Sequence, residues 1–331
     1  MTGKREYGDY QTPISFAEKI CGYLISEKKI NPSVVIEPTC GIGNFLECSL
    51  SFNADEYYGI EINPEYCTYC KNRIPDERVK IINDDFFSFN LKGLTQNTAD
   101  TLVIGNPPWV TNSSLSSLGS SNIPVKTNFK KLKGLDAITG ASNFDICEFI
   151  ILKLIHDFRD TSTVIAMLCK MSVARNIFKE VKRNNISFEY FNILEFDANK
   201  VFGINTCACI LVIKLSNKYH TNDICHVYSI EDYKNIKYSF GYLNGRFVSN
   251  IQMQNYDFDG ICCLKWRQGI KHDCSKIMEL SIQDGILYNG KKEAVDIEDT
   301  ILFPIIKSSM IKKPVINSFS KYVLVTQKKS T

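Results

Sequence analysis

Val34-Val35-Ile36-Glu37-Pro38-Thr39-Cys40-Gly41-Ile42-Gly43-Asn44-Phe45 is the stretch that decides the fold. Three branched apolar residues and an acid read as a short buried strand. Pro38 ends it, two glycines permit a tight loop, and a helix is expected to follow. Strand, glycine loop and helix in that order open a nucleotide-binding βαβ unit. The loop is G-x-G with no third glycine; Leu46 stands at that place. A dinucleotide pyrophosphate needs that glycine for close packing, so a nucleoside cofactor without phosphates is the better match.

Outward from this loop, strands are read at 57–62, 79–82, 101–104 and 164–168, with two more around 188–196 and 207–215. Helices are expected between them, including a broadly buried one from Phe144 to Phe158 and another over 172–184. A first helix is read from Ala17, Ile20, Cys21, Leu24 and Ile25, with Thr12 as N-cap, Pro13 as first helical residue and Asn31-Pro32 as its end. Strands alternating with helices predict an α/β fold. Acids stand at three successive strand ends: Glu37, Glu61 and Asp85. Glu61 lies about twenty residues past the glycines, where a carboxylate meets a ribose diol. Three negative strand ends favour a cation carrying hydroxyls and an amino group, and S-adenosylmethionine has all of these.

The fourth strand runs into Ile104-Gly105-Asn106-Pro107-Pro108-Trp109. Two prolines continue neither sheet nor helix, so the chain leaves as a stiff elbow. An exocyclic amino group on a base is a poor nucleophile, because its lone pair is delocalised into the ring. The Asn106 side-chain oxygen and the Pro107 carbonyl are two acceptors able to localise that pair, and Trp109 offers a ring to stack on it. Such catalysis is mostly positioning and hydrogen-bond electrostatics.

Composition sets looser bounds. The 331 residues suffice for one large domain or a domain plus a smaller one, and 44% apolar content supports a sizeable core. No window of roughly eighteen uninterrupted apolar residues exists, so no transmembrane helix is expected. The N-terminus has no apolar signal core, which predicts a cytoplasmic chain. A net charge of +3 says little, but Lys126, Lys130, Lys131 and Lys133 crowd one polar loop, and six lysines without an acid follow Thr300. Such clusters suit a phosphate-rich partner or a solvated surface. The 13 cysteines are scattered. Reduced structural thiols are expected, and the single C-x-x-C at Cys67 and Cys70 lacks the second pair a zinc site needs, so no metal is predicted. The texture changes near residue 216, dividing the chain into a catalytic domain (1–216) and a smaller β-rich region (217–331).

Asn106-Pro107-Pro108-Trp109 resembles the (D/N/S)-P-P-(Y/F/W) motif of amino methyltransferases acting on planar nitrogens. With Gln11-Thr12-Pro13 in front and the glycine loop before the motif, residues 7 to about 215 resemble the gamma class of DNA adenine-N6 methyltransferases, mainly of bacterial restriction–modification systems. The resemblance implies a Rossmann-like S-adenosylmethionine-dependent methyltransferase fold, with a seven-stranded, mostly parallel sheet whose last strand is antiparallel. It implies Thr12 and Pro13 beside the methionine end of the cofactor, and Glu37, Thr39, Cys40, Gly41 and Gly43 as the main cofactor loop. Glu61 would take the ribose hydroxyls, with Ile62 against the adenine; Asp85 would accept from the adenine amino group, with Phe86 beside that ring. Phe202, in the Val201-Phe202-Gly203 turn, would join Trp109 in holding a flipped target base. Double-stranded DNA is the implied partner, with the lysine loop, Trp266 and Arg267 as its contacts. The C-terminal region is short for target recognition in this class, so an incomplete region, a separate specificity subunit or a cognate restriction endonuclease enters the expectation. Two alternatives stay open: a same-fold methyltransferase acting on RNA guanine N2 or a protein glutamine, and a non-catalytic nucleic-acid-binding subunit.

Overall fold

The computed structural model describes residues 11–95, 100–110, 145–253, 269, 274–311 and 315–325. One sheet is built from β1 (Val34–Glu37), β2 (Glu56–Glu61), β3 (Val79–Asn83), β4 (Thr101–Gly105), β5 (Val164–Lys170), β6 (Phe188–Asp197), β7 (Cys207–Leu215), β8 (Ile224–Ser229), β9 (Asp232–Leu243) and β10 (Arg246–Val248). Its order is β3-β2-β1-β4-β5-β7-β6-β8-β9-β10. β1 to β5 run parallel to one another, and β7 runs antiparallel between β5 and β6. The first seven strands are therefore the Rossmann-like methyltransferase sheet, with β7 as the reversed last strand. Every residue of β1 and β4 is buried, as are the first six of β5. Parallel strands covered on both faces must be apolar throughout, which is why they stood out in the sequence.

The helices of this unit are α1 (Ile14–Ser26), α2 (Asn44–Ser49), α3 (Pro64–Arg73), α4 (Ile146–Asp157), α5 (Met171–Arg183) and α6 (Ala198–Phe202). α5 buries Met171, Val173, Ala174, Ile177, Phe178 and Val181, one stripe of an amphipathic helix. α1 differs from expectation at both ends. Pro13, not Thr12, is its N-cap, and the helix stops at Ser26, short of Asn31-Pro32. Ile25 is 37% exposed, and Tyr23 takes a place in the buried face.

The expected division near residue 216 does not match the structure. β8 pairs parallel with β6, and β9 and β10 follow antiparallel, so the chain beyond Ser216 first widens the large sheet. The chain divides into two compact units, 1–257 and 258–331. The second is β-rich as anticipated: an antiparallel sheet in the order β13-β12-β11-β15-β14, from β11 (Glu279–Gln283), β12 (Ile286–Asn289), β13 (Ala294–Val295), β14 (Leu302–Pro304) and β15 (Lys321–Leu324). Among the described residues no helix is long and apolar enough to cross a membrane.

Candidate active site

The sheet register brings the expected residues to one edge. Ile36 pairs with Val103, Glu37 with Gly59, and Glu61 with Asn83. The carboxyl ends of β1 to β4 therefore deliver Glu37, Glu61, Asp85 and Asn106 along one side, where open α/β sheets bind ligands.

The glycine loop is tied to both flanking stretches. Gly41 (φ +53°) and Gly43 (φ +80°) take left-handed conformations that other residues resist. Gly41 N donates to Glu61 Oε2 (2.8 Å), and Asn63 N donates to Oε1 (2.8 Å). Ile42 N donates to Gln11 Oε1 (3.4 Å), while Asn44 Nδ2 donates to the Thr12 carbonyl (2.6 Å). Gln11-Thr12, the loop and the end of β2 thus meet. Ile62, next to Glu61, is 45% exposed, an apolar surface beside a buried acid. Leu46, which fills the place of the third glycine, is fully buried. The close approach it would block is provided by Gly59 of β2, where a Cβ would come within 3.0 Å of Leu46 Cδ2.

Glu37 Oε2 accepts from Leu46 N (2.9 Å). Burial pushes its carboxyl well above the ordinary range, and the neighbouring Cys70 adds to the rise. Its stem lies against the elbow: a Cβ on Gly105 would sit 3.3 Å from Glu37 Cγ.

Sequence reasoning missed the support beneath the loop. Cys70 Sγ donates to the Gly41 carbonyl (3.2 Å), Cys67 Sγ to the Glu61 carbonyl (3.4 Å), and Arg73 Nη1 to the Ile42 carbonyl (3.0 Å). The C-x-x-C of α3 is a brace for the loop. Its Cys70 thiol is held below its ordinary value by a hydrogen bond with Cys40, whose own thiol is driven up by that bond and by burial. Asn44 was also missed; a polar residue opening the helix directly after G-x-G was the available signal. The described cysteines are free thiols, and among the described residues no group of three or more His, Cys, Asp or Glu side chains is placed to hold a metal ion.

After β3, Asp85 Oδ1 accepts from Phe87 N (2.9 Å) in a local turn. Asp84 N and Asn83 Nδ2 both donate to the Glu61 carbonyl (3.1 and 2.9 Å), fastening this turn to β2. Phe86 is 4% exposed. Its ring meets Phe87 edge to face, and Lys153 Nζ lies 5.3 Å from its centroid.

At the end of β4, Asn106 and Pro108 are half-buried and Pro107 and Trp109 buried. α6 closes on Gly203 in a left-handed conformation, and Phe202, its last residue, is half-buried. Trp109 and Phe202 come into ring contact, and Phe202 in turn meets Phe196 at 6.1 Å. Lys126, Lys130, Lys131, Lys133, Trp266 and Arg267 lie outside the described residues. Of the C-terminal lysines, Lys307 is paired with Glu279 (2.5 Å), so part of that charge is neutralised.

S-adenosylmethionine fits this edge. Buried polar groups normally have partners, yet the buried hydroxyl oxygens of Thr12 and Thr39 have none among the described residues. Both flank the loop, where a polar ligand would supply the bond. Glu37, 3% exposed, and Glu61, 9% exposed, add buried acid opposite a cationic ligand.

No family model matches the chain. It is 40% identical over 336 residues to the type II methyltransferase M.NspV of Nostoc sp., covering 98% of this chain and 69% of that enzyme. It is 28% identical over 228 residues to the modification methylase CviBIII of a Paramecium bursaria Chlorella virus, covering 67% of this chain and 54% of that protein. Among solved structures, a type I restriction-modification methyltransferase subunit from Streptococcus thermophilus superimposes with a TM-score of 0.47 at 16% identity, covering 67% of this chain and 48% of that one. The chain belongs to the family of type II methyltransferases that includes M.NspV, with S-adenosylmethionine as its methyl donor.

Proposed function

We propose that this chain methylates DNA in a restriction–modification system, at the N6 amino group of an adenine flipped out of the duplex. The observation that carries the reading is the meeting of Trp109 with Phe202 close after Asn106, at the end of β4, whose Gly105 lies against the Glu37 stem. A planar base bearing an amino group suits that arrangement, and the relatives are a type II methyltransferase and a modification methylase. When bound, S-adenosylmethionine supplies an electrophilic methyl group on a positively charged sulfur.

The chain's own residues do the rest. Asn106 Oδ1 and the Pro107 carbonyl accept the two amino hydrogens and localise the nitrogen lone pair toward the methyl group. The prolines hold both acceptors in place before the substrate arrives, so little reorganisation accompanies reaction. Trp109 and Phe202 hold the extruded ring, which is unreachable while stacked in the duplex. Glu61 takes the ribose diol and Asp85 the cofactor's adenine amino group. The N6 proton becomes acidic once the methyl is transferred, so no dedicated base is required.

The test is transfer of labelled methyl from S-adenosylmethionine to unmethylated plasmid DNA, followed by digestion to nucleosides. Label in N6-methyladenine is expected. Label in a methylcytosine would overturn the adenine assignment, and label only in RNA or protein would overturn the DNA assignment.

A further inference from the structure

The far end of the elbow is held by a junction that the reaction scheme does not use. The Val110 carbonyl, one residue past Trp109, accepts from the Ile146 amide at the start of α4 (3.0 Å). Asp145 is the N-cap of α4: its Oδ1 accepts from Cys147 N (3.0 Å). Its Oδ2 accepts from Lys170 Nζ (2.8 Å), and Lys170 is the last residue of β5, directly before α5. The two side chains are only 13% and 28% exposed. A second bond, from Asn176 Nδ2 to Glu148 Oε2 (3.0 Å), joins α4 and α5 farther along. The elbow, α4 and the β5–α5 turn therefore converge next to Trp109.

An ion pair is a poor choice for packing alone, since sheltering two charges costs desolvation that apolar side chains avoid. What it adds is direction. The prolines stiffen the elbow at its start, and the Ile146 amide holds its end only as well as the start of α4 is held. We propose that the Asp145–Lys170 pair is a positioning device for methyl transfer. It locks the α4 N-terminus against β5, and through Val110 it sets the orientation of Trp109 and the aim of the Asn106 acceptor. The inference rests on the methyltransferase reading above.

Asp145→Asn keeps a side-chain oxygen for the cap but removes the charge facing Lys170. Lys170→Met removes the charge from the other side at similar length. Each is expected to lower kcat on plasmid DNA on the order of 10-fold or more, as small misplacements of reacting groups do, with the KM for S-adenosylmethionine little changed. Lys170→Arg should restore most of the rate. A second readout needs no activity. With Trp266→Phe as the background, Trp109 is the remaining tryptophan, and loss of the pair should shift its emission to the red and open it to quencher. Unchanged kcat and unchanged Trp109 emission in both variants, whatever the melting temperature does, would overturn the proposal. If the unsubstituted chain transfers no methyl group to DNA, the substrate reading fails, and Trp109 emission alone decides: a red shift sustains the positioning role and its absence ends it.

Discussion

Trp109 and Phe202 meet edge to face, with ring centroids 5.5 Å apart and planes at 72°. The contact joins the end of β4 to the last residue of α6, so each ring limits the motion of the other. Such a pair is worth about 1 kcal/mol beyond its buried area. Phe202→Ala should therefore lower stability modestly but lower kcat/KM for DNA at least ~10-fold, a larger effect because base stacking is also lost. Phe202→Tyr should keep most activity. Wild-type methylation by Phe202→Ala would remove Phe202 from the target-base site.

Asn106 and Asp85 should separate turnover from binding. Asn106→Ala removes an acceptor from the amino group and should cut kcat on the order of 10²-fold or more, leaving the cofactor Kd nearly unchanged. Asp85→Ala should instead weaken the cofactor by roughly 10-fold or more, the usual worth of a charged hydrogen bond, with kcat recovered at saturating cofactor. Calorimetry and initial rates on both variants check the pair; equal losses of binding and rate in Asn106→Ala would refute its assigned role.

Glu37 gives a prediction in pH. Burial raises its carboxyl well above the ordinary value of 4.5. The folded chain then binds more protons than the unfolded one, so this residue's contribution to stability falls as pH rises through that ordinary value. Glu37→Gln keeps an oxygen for the Leu46 amide and removes that slope. In the absence of cofactor its melting temperature should exceed wild type near neutral pH, and the advantage should vanish in acid. Cofactor affinity should drop at the same time, because the substitution removes a carboxyl able to ionise when a cationic ligand binds. Melting curves across this range read the sign directly.

Gly43→Ala meets two obstacles: φ of +80° and a Cβ only 2.9 Å from Cys70 Sγ. A cost of about 1–3 kcal/mol is expected. Adding Cys70→Ala should return part of the steric share, since Ile74 Cδ1 remains 3.1 Å from the added Cβ, but not the conformational share. A double-mutant cycle by denaturant unfolding measures this coupling, and strict additivity would show that Cys70 does not confine the loop.

Much of this was legible beforehand, for physical reasons. β1, β4 and β5 are covered on both faces, so each reads as an unbroken apolar run. The elbow is announced by its prolines. The supports beneath the loop were not legible: Cys67, Cys70 and Arg73 all reach backbone carbonyls, and a carbonyl has no sequence signature. The division at 216 misled because strands near the edge of a sheet are partly exposed. β8 is buried only at Cys225 and Val227, with half-buried residues between and around them, the same alternation that a separate small β domain shows.

The parallel pairing of β8 with β6 bears on how this molecule can be cut. A chain stopped after Leu215, where the motif resemblance ends, would strip β6 of its outer neighbour. The four residues from Asn192 to Glu195, with the buried Ile193 and Leu194 among them, would then lose their ladder partner, and such an unpaired edge recruits other chains into aggregates. With β8 to β10 retained, β6 keeps its outer partner, and the three-residue β10, which carries Arg246, pairs with the Gly241–Leu243 end of β9. The residues proposed to act on the base end at Phe202, but a piece cut from this chain should extend past Val248 if β6 is to stay paired.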